Sequence, residues 1–289
     1  MKALKRLIIF LSLICLLFSS AYAEQRVFIA PEESRLDNSK ELMHIYVLDL
    51  IGADCMLIRY KDKNMLVDLG KSNQFYALNA LLQNQNIKDV SVFNSHPHKD
   101  HIGGIFDLID NYKVTKFYTG FPEFVEDSPV QAKALRKLSD HNIPIQTVHD
   151  GDSISFDEDI NMKVLQNGDI KNTNEKSAML HITYGEAKLL LTGDISWNSQ
   201  GFYAQKYGKE LDSDIMKAPH HARENLRPQF LSSITPEFVF ITNSTKGTKD
   251  MKHTLKKNHI PFLYARKGII HIATDGTTWY VEQLGKTEE

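Results

Sequence analysis

The sequence predicts an α/β protein in which two packed β-sheets are covered by helices. Short runs of β-branched and aromatic residues fall into two groups along the chain, with helical stretches between them. No repeat, low-complexity tract or Pro/Gly-rich linker divides the chain. Because each sheet needs another layer to bury its apolar face, this pattern favours a layered sandwich.

The first residues predict a secretory signal peptide. A positively charged start precedes an apolar run from residue 7 to 18, and Ala21-Tyr22-Ala23 offers a small-x-small cleavage site. The run is shorter than the roughly 20 residues that span a bilayer, which disfavours the alternative of an uncleaved anchor. We expect a signal peptide at 1–23 and export to a periplasm or the medium, without stable membrane insertion.

The remaining 266 residues would carry a formal net charge of −5, because the segment removed has three cations and no acids. That charge does not favour bulk attraction to a polyanion. Cys55 would be the remaining cysteine, so no internal disulfide is expected, and its apolar surroundings predict a small buried side chain. We interpret 24–42 as a polar, loose lead-in and 43–289 as one domain, and no obligate protein partner is indicated.

Strands and helices alternate along this domain. The first predicted elements are strands at Ile45–Leu50, Cys55–Tyr60 and Met65–Leu69, a helix at 74–83 and a strand ending at Ser95. Next come helices at 105–109 and 130–138, with strands at 116–118, 145–148, 160–165, 178–184 and 188–191. The rest alternates between helices at 198–207, 228–232 and 249–258 and strands at 214–217, 238–241, 261–264, 269–273 and 279–282.

The segment His96-Pro97-His98-Lys99-Asp100-His101 carries the strongest functional signal. It follows a predicted strand and precedes a Gly-Gly that can start a helix. Imidazole nitrogen and carboxylate oxygen are ligands that zinc takes, and alternate residues of a tight turn can serve two neighbouring metals. The simpler interpretation is a solvated polar loop, but three further segments fit the same site.

Each of these three segments is a predicted strand that ends in a polar side chain. They end in Asp68, in Asp194 after a glycine turn, and in the pair His220 and His221. Sheet proteins place their ligands at the carboxyl ends of strands. Four such segments in one chain indicate a metal site.

The motifs resemble those of the metallo-β-lactamase fold superfamily, and within it the lactamase-like domain of the ComEC family of DNA-uptake proteins. The likeness runs from about Ile45 to Glu282 and includes the His-Pro-His-x-Asp-His-Ile-Gly-Gly, Leu-Leu-Thr-Gly-Asp and Lys-x-x-His-His strings. The resemblance implies a four-layer αβ/βα sandwich with two mixed β-sheets and metals in the cleft between them.

The resemblance also implies two divalent ions, with zinc as the preferred metal and manganese as the alternative. By matching position, the ligands would be His96 and His98 for the first ion, Asp100, His101 and His221 for the second, and Asp194 for both. Asp68 would orient the loop by hydrogen bonding without touching metal. We favour His221 as the ligand and His220 as the residue facing substrate, but the sequence leaves the reverse order open.

Three stretches depart from the family pattern. Many members have a further histidine where this chain has Asn172–Ser177, so the first site is expected to bind its ion more weakly. His181 could replace that ligand, but its alternating context favours an ordinary strand histidine. The residues after the histidine pair, beginning with Ala222, and Thr248–Lys252 also differ from the pattern.

The implied activity is hydrolysis of a phosphoester by a metal-activated water. Asp100 and His220 would take part in catalysis, His220 by donating a hydrogen bond or a proton. Lys217 and Arg223 would neutralise a phosphate oxygen, unless both are ordinary solvated cations. The substrate would be a small or polymeric phosphoester, with a nucleic acid and a phosphocholine- or teichoic-acid-like polymer as the alternatives.

Two other functions stay open from the sequence. A lactone or β-lactam hydrolase would have the same fold, although the missing histidine counts against it. A non-catalytic metal-binding relative is disfavoured by the nearly complete ligand set. Lysines 246, 249, 252, 256 and 257 could follow a nucleic-acid backbone, but their helical spacing is more typical of a solvated helix face.

Overall fold

The structure is a computed structural model, which describes residues 25–29, 41–242 and 248–285. The predicted signal peptide at 1–23 lies outside these ranges and stays a prediction. Within them, no helix combines the length and the apolar character needed to cross a membrane.

Two mixed β-sheets form the centre of the described structure. The first contains, in spatial order, β1 (Val27–Ile29), β16 (Trp279–Leu284), β15 (Ile269–Thr274), β2 (Met43–Val47), β3 (Cys55–Tyr60), β4 (Lys63–Leu69), β5 (Asp89–Asn94), β6 (Lys113–Thr119) and β7 (Ile145–Thr147). The second contains β14 (Phe262–Tyr264), β13 (Phe238–Ile241), β12 (Ile215–Lys217), β11 (Ala187–Leu191), β10 (Met179–Tyr184), β9 (Ile160–Leu165) and β8 (Ser153–Asp157).

Helices lie between the strands along the chain. The α-helices are α1 (Phe75–Asn84), α2 (Lys99–Ile102), α3 (Ile105–Asn111), α4 (Pro129–Asp140), α5 (Trp197–Tyr207), α6 (Pro228–Ile234) and α7 (Lys249–Lys257). Single 3₁₀ turns occupy Ser72–Gln74, Gly208–Leu211 and Ala265–Lys267, and Pro219–Ala222 forms an irregular turn.

Three buried clusters divide the molecule into four layers. On β2, Ile45 and Val47 belong to a cluster between the two sheets, whereas Tyr46 belongs to one between the first sheet and its helices. This alternation is the period of two that a strand buried on both faces requires. A third cluster joins the second sheet to α5, α6 and α7 through residues such as Tyr203 and Phe230. The predicted αβ/βα sandwich is therefore confirmed.

The lead-in segment contributes a strand that the sequence did not predict. β1 runs parallel to β16, and the Trp279 backbone N–H donates to the Arg26 carbonyl oxygen at 2.7 Å. The run is only three residues long, too short to show a periodicity in the sequence. Cys55 is buried and unpaired, as predicted.

The topology brings the carboxyl ends of β4, β5, β11 and β12 to one edge of the sandwich. In the first sheet β4, β5, β6 and β7 are parallel, and in the second sheet β11, β12 and β13 are parallel. Parallel strands present their carboxyl ends at a common edge, where ligands bind in α/β proteins. The Ala178 backbone N–H, before β10, donates to the Ser95 carbonyl oxygen at 2.8 Å, which joins the two sheets at this edge.

Ion pairs join the sheets at the opposite edge. Asp157, at the end of β8, accepts from Lys63 Nζ at 2.8 Å and from Lys61 Nζ at 3.2 Å. The hydrogen bond from Lys63 is the main cause that lowers the pKa of Asp157 from 3.8 to about 2. A lowered pKa means that the pair stabilises the fold above pH 3.8 and that this contribution is lost as the pH falls through about 2.

Replacing Asp157 by Asn is therefore expected to cost about 1 kcal/mol of unfolding free energy at pH 7, because the carboxylate pairs with exposed lysines. The difference from the wild type should disappear near pH 2. Urea unfolding at a series of pH values measures it, with Glu158→Gln on the adjacent exposed residue as control. A difference that stays constant down to pH 2 would contradict the prediction.

Candidate metal centre

The predicted ligands lie together at the edge where the strand ends converge. Asp68 lies near the end of β4, and the residues from His96 to His101 follow β5 in the first sheet. Asp194 follows β11, and His220 and His221 follow β12 in the second sheet. The cleft between the sheets therefore receives polar side chains from both of its walls.

One carboxylate oxygen lies at the centre of this group. Oδ2 of Asp194 is 3.2 Å from Nε2 of His101, 3.3 Å from Nε2 of His221, 3.8 Å from Nε2 of His220 and 4.0 Å from Nε2 of His96. His96, His101 and His221 are fully buried, and Asp194 is almost fully buried. An acceptor surrounded in this way by imidazole nitrogens has the arrangement of a carboxylate that bridges bound cations.

His98 and Asp100 complete the two sides of the cluster. Nδ1 of His98 lies 3.1 Å from Nε2 of His96, close to the roughly 3.4 Å that separates two nitrogens on one tetrahedral zinc ion. Oδ2 of Asp100 lies 3.8 Å from Nε2 of His221. Nε2 of His98 lies 3.5 Å from Oδ2 of Asp127, a partner that the sequence did not indicate.

Asp68 has the supporting position that was predicted for it. Its carboxylate accepts hydrogen bonds from the Ser95 backbone N–H at 2.8 Å, from Ser95 Oγ at 2.6 Å and from Asn94 Nδ2 at 3.0 Å. Nδ1 of His101 lies 2.8 Å from Oδ2 of the same carboxylate, which turns Nε2 of that ring toward Asp194. A carboxylate that fixes a histidine in this way sets its tautomer and orientation for metal binding.

The histidine pair lies in an unusual backbone conformation. His220, His221 and Ala222 have φ values of 47°, 53° and 59°, so three consecutive non-glycine residues are left-handed. Each such residue is unfavourable by about 1 kcal/mol or more, and such strain clusters at functional sites. Gly193 is also left-handed, and a Cβ there would lie 2.9 Å from Cβ of Ser177, so this turn requires glycine.

Asp54 is a site residue that the sequence analysis missed. It is fully buried in the loop between β2 and β3, and Oδ1 lies 3.0 Å from Nδ1 of His221. It follows Ile51-Gly52-Ala53 and precedes an apolar strand, so neither spacing nor a neighbouring ligand marks it in the sequence. Burial would raise the pKa of the Asp54 carboxyl, but Lys217 and His221 outweigh burial and lower it.

The position of Lys217 does not match the predicted contact with substrate phosphate. Lys217 is fully buried, and Nζ lies 2.6 Å from Oδ2 of Asp54 and 3.7 Å from Oδ1 of Asp194. It also donates to the Gly193 carbonyl oxygen at 2.9 Å. The side chain follows the inward-facing period of β12, which a strand of three residues does not reveal in the sequence.

The carboxylates and histidines perturb one another in the directions that a cation site requires. Burial would lower the pKa of His101, but Asp194 and Asp68 raise it well above the usual value. Burial would also lower the pKa of His221, but Asp194 and Asp54 raise it to about 9. Burial would raise the pKa of Asp194, but His221 and His101 lower it well below the usual value. The anionic field that retains these protons also favours a metal cation.

The donor set fits divalent metal ions. Nε2 of His101, Nε2 of His221 and Oδ1 of Asp194 are buried without a hydrogen-bond partner among the described residues. Buried polar atoms without partners are costly, and a cation bound between them would satisfy them. Four overlapping groups in the described ranges have ligand atoms within 4.8 Å of one another: His96, His101 and Asp194; Asp100, His101 and His221; Asp54, Asp68 and His101; Asp54, Asp194 and His221.

The stretch Asn172–Ser177, which lacks the additional histidine, supports the turn that carries Asp194. Ser177 is fully buried, and its Oγ accepts from the Asp194 backbone N–H at 3.2 Å, so it holds the turn that carries Asp194. His181 lies elsewhere on β10, with Nε2 3.2 Å from the Asp212 carbonyl oxygen and 3.1 Å from Ser213 Oγ. The interpretation of His181 as an ordinary strand histidine is confirmed.

Two basic features named from the sequence lie at the surface. Lys249, Lys252, Lys256 and Lys257 are exposed on α7, as a solvated helix face requires, whereas residue 246 lies outside the described ranges. Arg223 is exposed beside the histidine pair.

The sequence is similar to those of known proteins. The family described as the Metallo-beta-lactamase superfamily matches residues 48–224. Competence protein ComA of Neisseria gonorrhoeae is 26% identical over 191 residues, which are 64% of this chain and 24% of that protein. The chain thus spans about a quarter of the length of this relative, which agrees with the resemblance to ComEC-family proteins.

Solved structures agree on the fold. The metallo-beta-lactamase fold protein YhfI from Bacillus subtilis has a TM-score of 0.52 at 14% identity, over 78% of this chain and 98% of its own. A variant of the β-hydroxylase CmlA has a TM-score of 0.56 at 13% identity, over 83% of this chain and 55% of its own. The family match covers more than half of the sequence and includes the histidine loop and Asp194. The chain belongs to the metallo-β-lactamase superfamily.

Proposed function

We propose that the protein is an exported, metal-dependent hydrolase that cleaves phosphodiester bonds. The observation that carries the proposal is the position of Asp194 Oδ2, within 4.0 Å of Nε2 atoms from four histidines. His96 and His98 would hold one ion, Asp100, His101 and His221 the other, and Asp194 both. Zinc suits these ligands best, and manganese is the alternative.

Paired divalent ions would supply a water of lowered pKa and a positive field for the charge that develops on phosphorus oxygens. The protein residues orient the ligands and the substrate. Asp68 and Asp127 hold His101 and His98, and His220 stays partly accessible, with 18% of its side chain exposed. His220 would donate a hydrogen bond to the phosphate or a proton to the leaving group.

Two cations beside the site favour an anionic substrate. A Cβ built on Gly52 would lie 3.7 Å from Nη2 of Arg223 and 3.8 Å from Nζ of Lys71, so both side chains converge on this loop. Gly52 lies two residues before Asp54, which contacts His221. With Lys217 buried, Arg223 and Lys71 take over its predicted role toward the phosphate.

A cavity of about 580 Å³ is formed by loops at the same edge of the sandwich and would receive the rest of the substrate. Its walls come from the loops after β6, β7 and β9 and include Phe121, Phe124 and Lys176. Another cavity of about 580 Å³ lies beside α6 and α7, and the candidate ligands line neither of these two cavities. We therefore assign the substrate to the first cavity, because Asp127 connects its loop to His98.

Metal content and a substrate panel test the proposal together. We expect protein purified without chelator to contain zinc or manganese and to hydrolyse bis(p-nitrophenyl) phosphate. EDTA should abolish the activity and added Zn²⁺ or Mn²⁺ should restore it, because the attacking water would owe its lowered pKa to the ions. Elemental analysis and the release of p-nitrophenol measure both expectations.

The panel should also contain DNA, RNA, a phosphocholine ester, a lactone and a β-lactam. Turnover confined to the lactone or β-lactam would replace the phosphodiester assignment by the alternative hydrolase. Bound metal without turnover of any substrate would favour a non-catalytic relative, and absence of bound metal would remove the proposal altogether.

A further inference from the structure

We propose that Asp54 and Lys217 form a buried frame that positions His221 and Asp194 for metal binding. Both residues are fully buried. The inference rests on the proposed metal centre but not on the identity of the substrate. It replaces the predicted contact between Lys217 and substrate by a positioning role, and it gives Asp54 a function.

The frame connects three loops that approach the centre from different directions. Oδ2 of Asp54 pairs with Nζ of Lys217 at 2.6 Å, and Oδ1 lies 3.0 Å from Nδ1 of His221. Nζ of Lys217 also donates to the carbonyl oxygens of Gly193 at 2.9 Å and of Ala218 at 3.3 Å. The loop before β3, the turn after β11 and the turn after β12 are thereby fixed relative to one another.

Each contact has a consequence for a ligand. Nδ1 of His221 lies 3.0 Å from Oδ1 of Asp54 and 3.2 Å from Oγ1 of Thr242, so Nε2 is the nitrogen left to face Asp194 at 3.3 Å. With the Gly193 carbonyl held by Lys217, the left-handed turn that carries Asp194 keeps its direction. Carboxylates that hold a ligand histidine in this way typically change metal affinity 10- to 100-fold when they are removed.

The backbone also ties Asp54 to the other ligand loop. The Asp54 backbone N–H donates to the Asp100 carbonyl oxygen at 3.1 Å, and the Asp54 carbonyl oxygen accepts from Gly70 N–H at 2.8 Å. Asp54 therefore contacts the histidine loop through its backbone and the histidine pair through its side chain.

A buried ion pair could instead serve only the fold, and the double variant distinguishes these roles. Asp54→Asn and Lys217→Met should each lower the midpoint of thermal unfolding, because each leaves one buried charge without its partner. The double variant Asp54→Asn/Lys217→Met removes both charges and should regain most of that loss. If the frame positions His221, the double variant will still bind Zn²⁺ roughly 10- to 100-fold more weakly than the wild type.

Competition with a chromophoric chelator measures the Zn²⁺ affinity, and the visible spectrum of the Co²⁺-loaded protein reports ligand geometry without any substrate. The matched control is Lys188→Met/Asp212→Asn. It removes a surface ion pair, with 2.9 Å between Nζ of Lys188 and Oδ2 of Asp212, at the strand β11 that leads to Asp194. The control should keep wild-type affinity and spectrum.

Wild-type Zn²⁺ affinity and an unchanged Co²⁺ spectrum in the double variant would overturn the inference and leave the metal centre intact. Failure of the wild type to bind metal would instead overturn the proposed function. If the double variant does not fold, Asp54→Asn alone decides the question in its folded fraction. That variant keeps the side-chain volume and should show the weakened affinity and the altered spectrum.

Discussion

Replacing Asp194 by alanine is expected to abolish hydrolysis of bis(p-nitrophenyl) phosphate. Oδ2 of Asp194 lies close to the imidazoles on both sides of the centre, so its removal would take a ligand from both proposed ion sites. The loss of kcat/KM should be roughly 10³-fold or more, beyond the 10- to 100-fold effect of residues that only support a ligand. Zinc content should fall with the activity.

Asp100 approaches His221 and so lies on one side of the centre only. Asp100→Ala should also remove activity, but it should leave the ion held by His96, His98 and Asp194. Asp110→Ala, on an exposed carboxylate of α3, is the control and should behave as the wild type. Wild-type rates in both site variants, with the fold intact by circular dichroism, would show that the ligand assignment is wrong.

Replacing Asp68 by alanine is expected to have the largest effect on stability. The carboxylate accepts three hydrogen bonds from Asn94 and Ser95 and contacts His101, and it is 1% exposed. Its removal leaves several buried donors without partners, at a cost of about 1–3 kcal/mol for each unsatisfied group. The unfolding free energy in urea should therefore fall by roughly 3 kcal/mol or more.

Asp68→Asn gives the matched comparison, because the amide keeps the volume and one acceptor oxygen. Its loss of stability should be clearly smaller than that of Asp68→Ala, although the amide cannot accept from all four groups. Equal midpoints for Asp68→Ala and the wild type would mean that the loop is held by other contacts. Chelator should lower the unfolding midpoint of the wild type more than that of either variant.

Most of the fold could be predicted from the sequence because its strands are either apolar runs or alternate apolar and polar residues. Cys55–Tyr60, Ile160–Leu165 and Phe238–Ile241 occur with the predicted bounds. Phe238–Ile241 is buried on both faces, whereas Ile160–Leu165 contains the exposed Asn161 and the half-buried Lys163 between buried residues. β1 could not be predicted in this way, because three residues pairing with a strand 250 positions later have no local signal.

The candidate site was predictable where ligands follow a strand in a recognisable spacing. His96, His98, Asp100 and His101 form such a motif, and the structure brings His96 and His101 to Asp194, His98 to His96 and Asp100 to His221. Asp54 escaped prediction because its partners, Lys217 and His221, are more than 160 positions away. A buried lysine and an exposed one also look alike in a sequence, since only the fold decides which face of β12 turns inward.

The division of the ligands between the two sheets has a consequence for the order of events during biogenesis. A nascent chain that has emerged as far as α4 contains the histidine loop but lacks Asp194 and His221. Such an intermediate would contain only part of the proposed ligand set. We therefore expect a metal ion to bind tightly only after the second sheet has formed, and the bound ion would then link the two sheets.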